Sequence, residues 1–496
     1  KHIFPPGYTP AKPWTKTGDM RAFGSVVLPS MREKNRSRLE VPMKQTEQPL
    51  SYTAIPEATT ARAHKAFAAD ASARIAKNAV SASPIRKVAR VPEALGIDPR
   101  TFDVQLSQGD ITNQKRSGRC WMFASLNTMR FRVMKKLNLK TFELSQAYPL
   151  FWDKYERANW FFQNIISTAN DPATSREVAF LLLDPLCDGG QWDMFRSIVK
   201  KYGVVPKDAM PETHCSSNTG DMDAFLTRFL RGGAKTLREM VAAGAGTDEL
   251  SAKQAELLGQ FYRMLAICLG EPPASFELRL RDKNDKLVAS GTFTPKQFFD
   301  EYVEMNLDDY ISVINAPTAD KPYFHSYSVR FLGNVAEDGG VHYVNLPVES
   351  LKRAAIAQLK DGLPVWFGCD VDQNYLQDDG MMGIDTMDVD GLFGVPVMAS
   401  MDKAARLDYG ESLMTHAMVF QGVNLNGDGK PTLWRVENSW GKDHGHDGYD
   451  LMTDDWFSEY VYQVVVDKKY LTDEERAAYD EDPIELAPWD PMGALA

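Results

Sequence analysis

Apolar positions along the chain change period several times, and the changes divide it into elements. Residues 60–80 are alanine-rich with helical spacing, and Pro84 marks the expected end of that helix. Met122, Leu126, Met129, Val133 and Leu137 recur every three or four positions, which predicts a helix with one apolar face beginning near Cys120. A further helical stretch is expected to start at Phe142-Glu143-Leu144-Ser145 and to run through Tyr148, Phe151, Trp152 and Tyr155 towards Phe162. Gly189-Gly190-Gln191 reads as a loop before a helix carrying Trp192, Phe195, Ile198 and Val199. Residues 220–270 predict one or two amphipathic helices, with Phe225, Phe229 and Leu230 and then Leu257, Leu258, Phe261 and Leu265 on their apolar faces.

Beyond this helical half the period shifts towards two. Residues 277–293 alternate as a hairpin turning at Lys283-Asn284-Asp285, and Thr294-Pro295 caps a short helix. Residues 348–359 return to helical spacing, and 364–369 form a short apolar run expected to be a buried strand. Residues 416–423 and 432–437 pair as a hairpin joined by Asn424 to Lys430. Residues 1–50 stand apart: prolines are frequent and no period persists, so this stretch is expected to be a disordered extension, with Met43 a plausible natural start. The remainder, 51–496, is expected to fold together.

Composition narrows the function classes. The 496 residues are 44% hydrophobic and 25% charged, the balance of an ordinary globular protein. A net charge of -11 argues against a nucleic-acid groove, so no nucleic-acid partner is expected. The five cysteines, Cys120, Cys187, Cys215, Cys268 and Cys369, are scattered and show no CxxC zinc spacing, which suits a reducing compartment. No apolar run approaches the roughly 18 residues of a membrane span, and no basic-then-apolar leader is visible. A cytoplasmic location is therefore expected, with no membrane partner.

The candidate chemistry centres on Cys120. It lies where the polar loop Asn113-Gln114-Lys115-Arg116-Ser117-Gly118-Arg119 becomes a helix. A helix N-terminus favours a negative group by up to roughly 2 kcal/mol when partly buried. That moves a thiol by little more than about one pKa unit, so a nearby imidazolium must supply the rest. Gln114, six positions upstream, can offer its side-chain amide to an oxyanion. Alone, Cys120 reads equally well as a buried small hydrophobe. A nucleophile needs a base and the base an orienting group. His416 opens one strand of the predicted hairpin and Asn438 closes the other, so the hairpin can bring them together. The Asn438 carbonyl can hold the imidazole tautomer, and Trp440 can shield that hydrogen bond from water.

These segments resemble papain-type cysteine peptidases, and in particular the bleomycin hydrolase and aminopeptidase C branch. The resemblance rests on Asn113 through Trp121, Asp188-Gly189-Gly190-Gln191-Trp192, residues 201–206, Cys369-Asp370-Val371, Asn438-Ser439-Trp440-Gly441 and the terminal residues 489–496. It runs from about Ala61 to Ala496. One departure follows Gly441, where Lys442-Asp443-His444-Gly445-His446 is polar and many papain-like peptidases carry a tryptophan. The resemblance implies an α+β, two-lobed papain-like fold: a helical lobe presenting Cys120, a β-barrel-like lobe presenting His416 and Asn438, and a cleft between them. His416 follows Cys120 by 296 positions, against roughly 130–150 in papain-type enzymes. A large insertion at about 215–345 is therefore expected between the two halves.

The resemblance further implies a cysteine aminopeptidase that acts on peptides through a thioester. The catalytic residues would be Cys120, His416 and Asn438, with Gln114 at the oxyanion and with Gly189, Gly190, Trp440 and Ala496 bordering the substrate. A His-paired cysteine of this type has a pKa of about 3–4. A homohexamer is implied, as is a C-terminal arm at about 485–496 running into the cleft. No cofactor or metal is implied. An endopeptidase, or a nucleic-acid-binding or scaffold role on the same fold, are the alternatives. His444 and His446 could ligate a metal, but a glycine-rich surface loop explains them equally. Asn424 to Gly429 lacks the closing glutamate of a calcium loop and suits a hairpin turn.

Overall fold

The computed structural model describes residues 52–96, 101–106, 109–397 and 400–496. The expectation for residues 1–50 lies outside them. Of the two compact units, the first ends at Lys65 and the second comprises Ala66–Ala496. Within the second, helices pack on both faces of a large mixed sheet, an α+β arrangement.

The sheet is one continuous ladder. In spatial order it runs Ile484–Leu486, His325–Val329, Tyr343–Asn345, Tyr310–Ile314, Val461–Asp467, Val365–Cys369, His416–Leu425, Pro431–Glu437, Tyr449–Thr453, Met381–Met382 and Tyr375–Leu376. Val104–Gln105 adds to the outside of His416–Leu425. Strand alternation splits the interior into two cores. Trp366, Ala417, Val419 and Val465 face the helices of residues 120–269, and the helices Val348–Lys360 and Asp454–Tyr460 cover the other face. Phe367, Met418, Phe420 and Val464 face the other way, where Phe367 and Phe420 stack with ring centroids 3.8 Å apart. Tyr310–Ile314, His325–Val329 and Tyr343–Asn345, which fall within the expected insertion at 215–345, belong to this same sheet. Residues 220–293 instead contribute the long helices Gly220–Ala242 and Thr247–Leu269 and the separate hairpin Phe276–Arg281/Leu287–Phe293.

The helix Cys120–Leu137 lies between the helical core and the sheet. The apolar periodicity predicts one buried face, yet every residue from Cys120 to Arg130 is buried. Its polar side chains tolerate this because each finds a partner. Ser125 Oγ donates to Trp121 O at 2.7 Å, Thr128 Oγ1 to Ser125 O at 2.7 Å, and Asn127 Nδ2 to Thr112 Oγ1 at 3.2 Å. Arg130 donates to Asp110 O and to Glu437 Oε1, both at 2.6 Å.

Two further expectations shift. The single helix over 60–80 is two helices, Glu57–Ala69 and Ala71–Ala82, because Asp70 leaves helical geometry and caps Ala73 N–H. Phe142–Ser145 is not helical. Leu144 bridges Pro206, and the helix starts at Ala147, after Ser145 N–H has bonded to Val205 O.

The Arg130–Glu437 ion pair is nearly inaccessible, with side chains 2% and 0% exposed, and Gln421 Nε2 donates to the second Glu437 oxygen at 2.7 Å. Arg130→Met should destabilise the protein by about 3–5 kcal/mol, because it leaves a carboxylate buried without its cation. Arg130→Met combined with Glu437→Met should lose less. Urea unfolding followed by tryptophan fluorescence measures both, and a single-mutant loss below about 1 kcal/mol would contradict this.

Candidate active site

Cys120 begins its helix, and its sulfur faces the backbone N–H groups of Ala417, Trp121 and Cys120 itself. The residue before it, Arg119, is anchored by a two-pronged contact, Nη1 to Glu212 Oε1 at 3.1 Å and Nη2 to Glu212 Oε2 at 2.9 Å, while its Nε donates to Ser117 Oγ. The turn that positions the thiol is thus held from inside the helical lobe.

His416 is the first residue of its strand and lies in register with Cys369 on the adjacent one. Asn438 follows Glu437, the last residue of the partner strand. The predicted hairpin therefore brings them together: His416 Nε2 lies 3.1 Å from Asn438 Oδ1. Ser439 N–H donates to that same oxygen at 2.8 Å, and Asn438 Nδ2 donates to Asp450 Oδ2 at 2.9 Å. These two contacts fix which way the amide points. Because Oδ1 can only accept, His416 Nε2 carries the proton and Nδ1 keeps its lone pair. Trp440 lies against the imidazole, with ring centroids 4.9 Å apart.

Gln114 is joined to the other lobe. Its backbone N–H donates to Ser439 O at 2.8 Å and its Oε1 accepts from Ser439 Oγ at 2.6 Å. Its Nε2 donates to Ser117 O at 2.8 Å. An amide nitrogen carries two N–H bonds, so a second donor is available at the site.

Gly189 and Gly190 form the edge of the cleft beside Trp121. A Cβ on Gly190 would come within 2.5 Å of the Trp121 ring, and one on Gly189 within 2.8 Å of Leu495 Cβ. The chain's last described residues lie on this edge. Gly190 N–H donates to Ala496 O at 3.1 Å and Ala496 N–H to Gly190 O at 3.3 Å, while Gln191 Nε2 donates to Ala494 O at 2.6 Å. Gly189, Gly190 and Ala496 thus lie together beside Trp121, and Gln114 meets Asn438 and Trp440 through Ser439.

Sequence reasoning missed Asp450 and the role of Asp188. Asp188 Oδ2 accepts from Gly118 N–H at 3.0 Å, and its carbonyl accepts from Trp121 Nε1 at 2.8 Å. Burial pushes its carboxyl up, but Lys154 at 2.7 Å overcomes this and holds it well below the usual range. Asp188 opens the Gly189-Gly190 motif, which could have signalled it. Asp450 has no such motif, and only the register Val436↔Asp450 places it beside Asn438. His444 is not on an open surface loop: its side chain is 13% exposed and turned towards Asp450.

Burial disfavours the charged form of both Cys120 and His416. Burial pushes the Cys120 thiol up to about 11 and the His416 imidazole down to about 4. Ionising either alone in this cleft is unfavourable. The helix end does not offset burial, so a thiolate at neutral pH depends on a proton moving to the imidazole beside it.

A family model described as the Peptidase C1-like family matches residues 54–493. The chain belongs to this family. Aminopeptidase C of Streptococcus thermophilus is 47% identical over 430 residues, spanning 87% of this chain and 96% of that protein. Bleomycin hydrolase of Gallus gallus is 46% identical over 393 residues, spanning 78% and 86%. The crystal structure of PepW from Lactobacillus rhamnosis HN001 (DR20) superposes with a TM-score of 0.86 at 46% identity, covering 89% of this chain and 99% of that one. The fold is papain-like, and the relatives extend across both lobes and the region between them.

The ionisation argument gives a direct test. In His416→Ala, iodoacetamide labelling of Cys120 at pH 7 should slow by about 100-fold or more, since the thiol is left without its base. Labelling should then climb about tenfold per pH unit towards pH 11, because the reactive form is the deprotonated one. Labelling at pH 7 as fast as in the unaltered protein would contradict this.

Proposed function

We infer that the chain is a cysteine aminopeptidase, which releases N-terminal residues from peptides through a thioester on Cys120. The observation that carries this reading is the backbone pairing of Ala496 with Gly190, next to the residue that follows Cys120. A bound segment there fills the cleft on the side where the N-terminal part of a longer substrate would have to lie. Relatives named Aminopeptidase C, close to half identical over nearly their whole length, support the same reading.

The reaction follows from the geometry. A peptide carbonyl enters beside Cys120, and sulfur attacks its carbon as the thiol proton passes to His416 Nδ1. The developing oxyanion is held by the Cys120 backbone N–H and the second Gln114 Nε2–H, groups already in place before charge appears. His416, held through Nε2 by Asn438, returns the proton to the leaving amine and the C–N bond breaks. Water then attacks the thioester carbonyl, His416 takes its proton, and the acid leaves as the thiol is restored.

Selectivity for a free N-terminus comes from the arm. Lys321 Nζ, whose side chain is 2% exposed, holds Asp490 at 2.9 Å, and the Arg176 guanidinium lies 3.5 Å from the centre of the Trp489 ring. Leu495 shares an apolar wall with Phe161, Leu181, Met194 and Pro488. In a chain ending at Ala496, the α-carboxylate, negative at neutral pH with a pKa of about 3.5, faces the substrate's α-ammonium and sets the cut one residue in. A homo-oligomer, a hexamer, working in the cytoplasm completes the reading. Supporting assembly, Phe225 and Ile267 on the long helices Gly220–Ala242 and Thr247–Leu269 are 59% and 73% exposed. Supporting the compartment, no cysteine among the described residues is disulfide-bonded.

Deleting Leu495 and Ala496 should reduce kcat/KM for free-amine aminoacyl amides by about tenfold or more and allow N-blocked peptides to be cut internally. Paired assays on free and N-acetylated fluorogenic substrates measure this. An unchanged preference for free amines would place selectivity elsewhere in the cleft.

A further inference from the structure

The polar run Lys442 to His446, where the family pattern departs from tryptophan, is not idle surface. Asp450, in the strand Tyr449–Thr453, is fully buried, and one of its carboxylate oxygens takes the Asn438 amide proton at 2.9 Å. The other oxygen lies 3.1 Å from His444 Nε2, which in turn lies 2.6 Å from the Tyr375 hydroxyl. Burial, and then the adjacent Asp450 charge, pushes the Tyr375 phenol far up, so it keeps its proton. Trp440 packs on both imidazoles, at 4.9 Å from His416 and 4.8 Å from His444. The loop closes tightly around the carboxylate: a Cβ on Gly445 would come within 2.7 Å of Asp450 Oδ1, and one on Gly380 within 3.0 Å.

We propose that Asp450 is a positioning residue of the reaction, flanked by His444 and Tyr375, and that it acts on His416 through the Asn438 amide. The line His416–Asn438–Asp450–His444 runs from the base to a second imidazole outside the triad. An ionised carboxylate can only accept, so Asp450 prevents the Asn438 amide from turning its NH₂ towards His416. It thereby keeps the proton on Nε2 and the lone pair on the nitrogen that serves the thiol. Its charge also favours the imidazolium that forms during attack. The titratable groups acting on His416 are Asp450, His444 and Asp372, with Cys369 in register on the neighbouring strand. Those facing Asp450 are Tyr375, His444 and Cys369.

This inference rests on the aminopeptidase reading only for its substrate. The test compares the full chain with Asp450→Asn, Asn438→Ala and the double variant. Two readouts are followed against pH: turnover of a free-amine aminoacyl amide, and iodoacetamide labelling of Cys120. Asp450→Asn should lower kcat about tenfold or more, with KM within about twofold. Losing the negative charge lowers the imidazolium pKa, so the alkaline limb of turnover should move to lower pH and labelling at neutral pH should slow. In the Asn438→Ala background the same change should add less than about twofold, because the connection is already cut. An Asp450→Asn profile superimposable on the unaltered protein, or losses that multiply in the double variant, would overturn the proposal. Should Asp450→Asn fail to give a folded protein by circular dichroism, His444→Gln takes its place: a weaker shift in the same direction supports the proposal, and no shift overturns it. Labelling separates the two readings. If no free-amine substrate is cleaved yet labelling still depends on Asp450, the substrate reading fails and the positioning role stands.

Discussion

The buried Arg130–Glu437 pair ties the two halves of the molecule together where chemistry needs them registered. Arg130 lies on the helix that starts at Cys120, and Glu437 is the residue before Asn438. Cys120 and Asn438, the proposed nucleophile and orienting amide, thus share one internal ion pair about three helical turns from the thiol. Around it, the lobes are joined by backbone contacts from Gln114 to Ser439 and from Gly441 to Thr112, at 2.8 and 3.0 Å. A buried ion pair is sensitive to the loss of either partner.

Burial has a cost at the reacting groups. The same packing that excludes water from His416 and Asn438 disfavours charge on both the thiol and the imidazole. The cleft answers this with fixed donors and acceptors: three N–H groups at the sulfur, one amide at the imidazole and a carboxylate behind the amide. Each is held by structure before substrate arrives, so little reorganisation remains for the chemical step. The terminal residues are held in the same way, by backbone hydrogen bonds between Ala496 and Gly190.

Much of this was legible in the sequence, for reasons that differ by element. The hairpin joining His416 to Asn438 follows from alternation and turn chemistry alone, both local. Cys120 at a helix start followed from apolar spacing, and its meaning came from the resemblance carried by the residues around it. What could not be read depends on tertiary partners. The helix after Cys120 is buried all round because Ser125, Thr128 and Arg130 bond to groups far away or within their own turn. The extended start at Phe142 arises from pairing with residues 205 and 206, and the break at Asp70 from a single cap competing with alanine-rich propensity. Asp450 was invisible because its position relative to Asn438 is a matter of strand register. His444 looked like surface because a histidine between glycines carries no sign of the carboxylate it faces.

The most direct measurement of the central claim is the mass of the trapped acyl-enzyme. Rapid acid quench of the enzyme turning over a peptide with a free N-terminus, followed by intact-mass and peptide mapping, reports what is attached and where. The account predicts a single aminoacyl group as a thioester on Cys120. An acyl group of several residues, or attachment at Cys187, Cys215, Cys268 or Cys369, would contradict it.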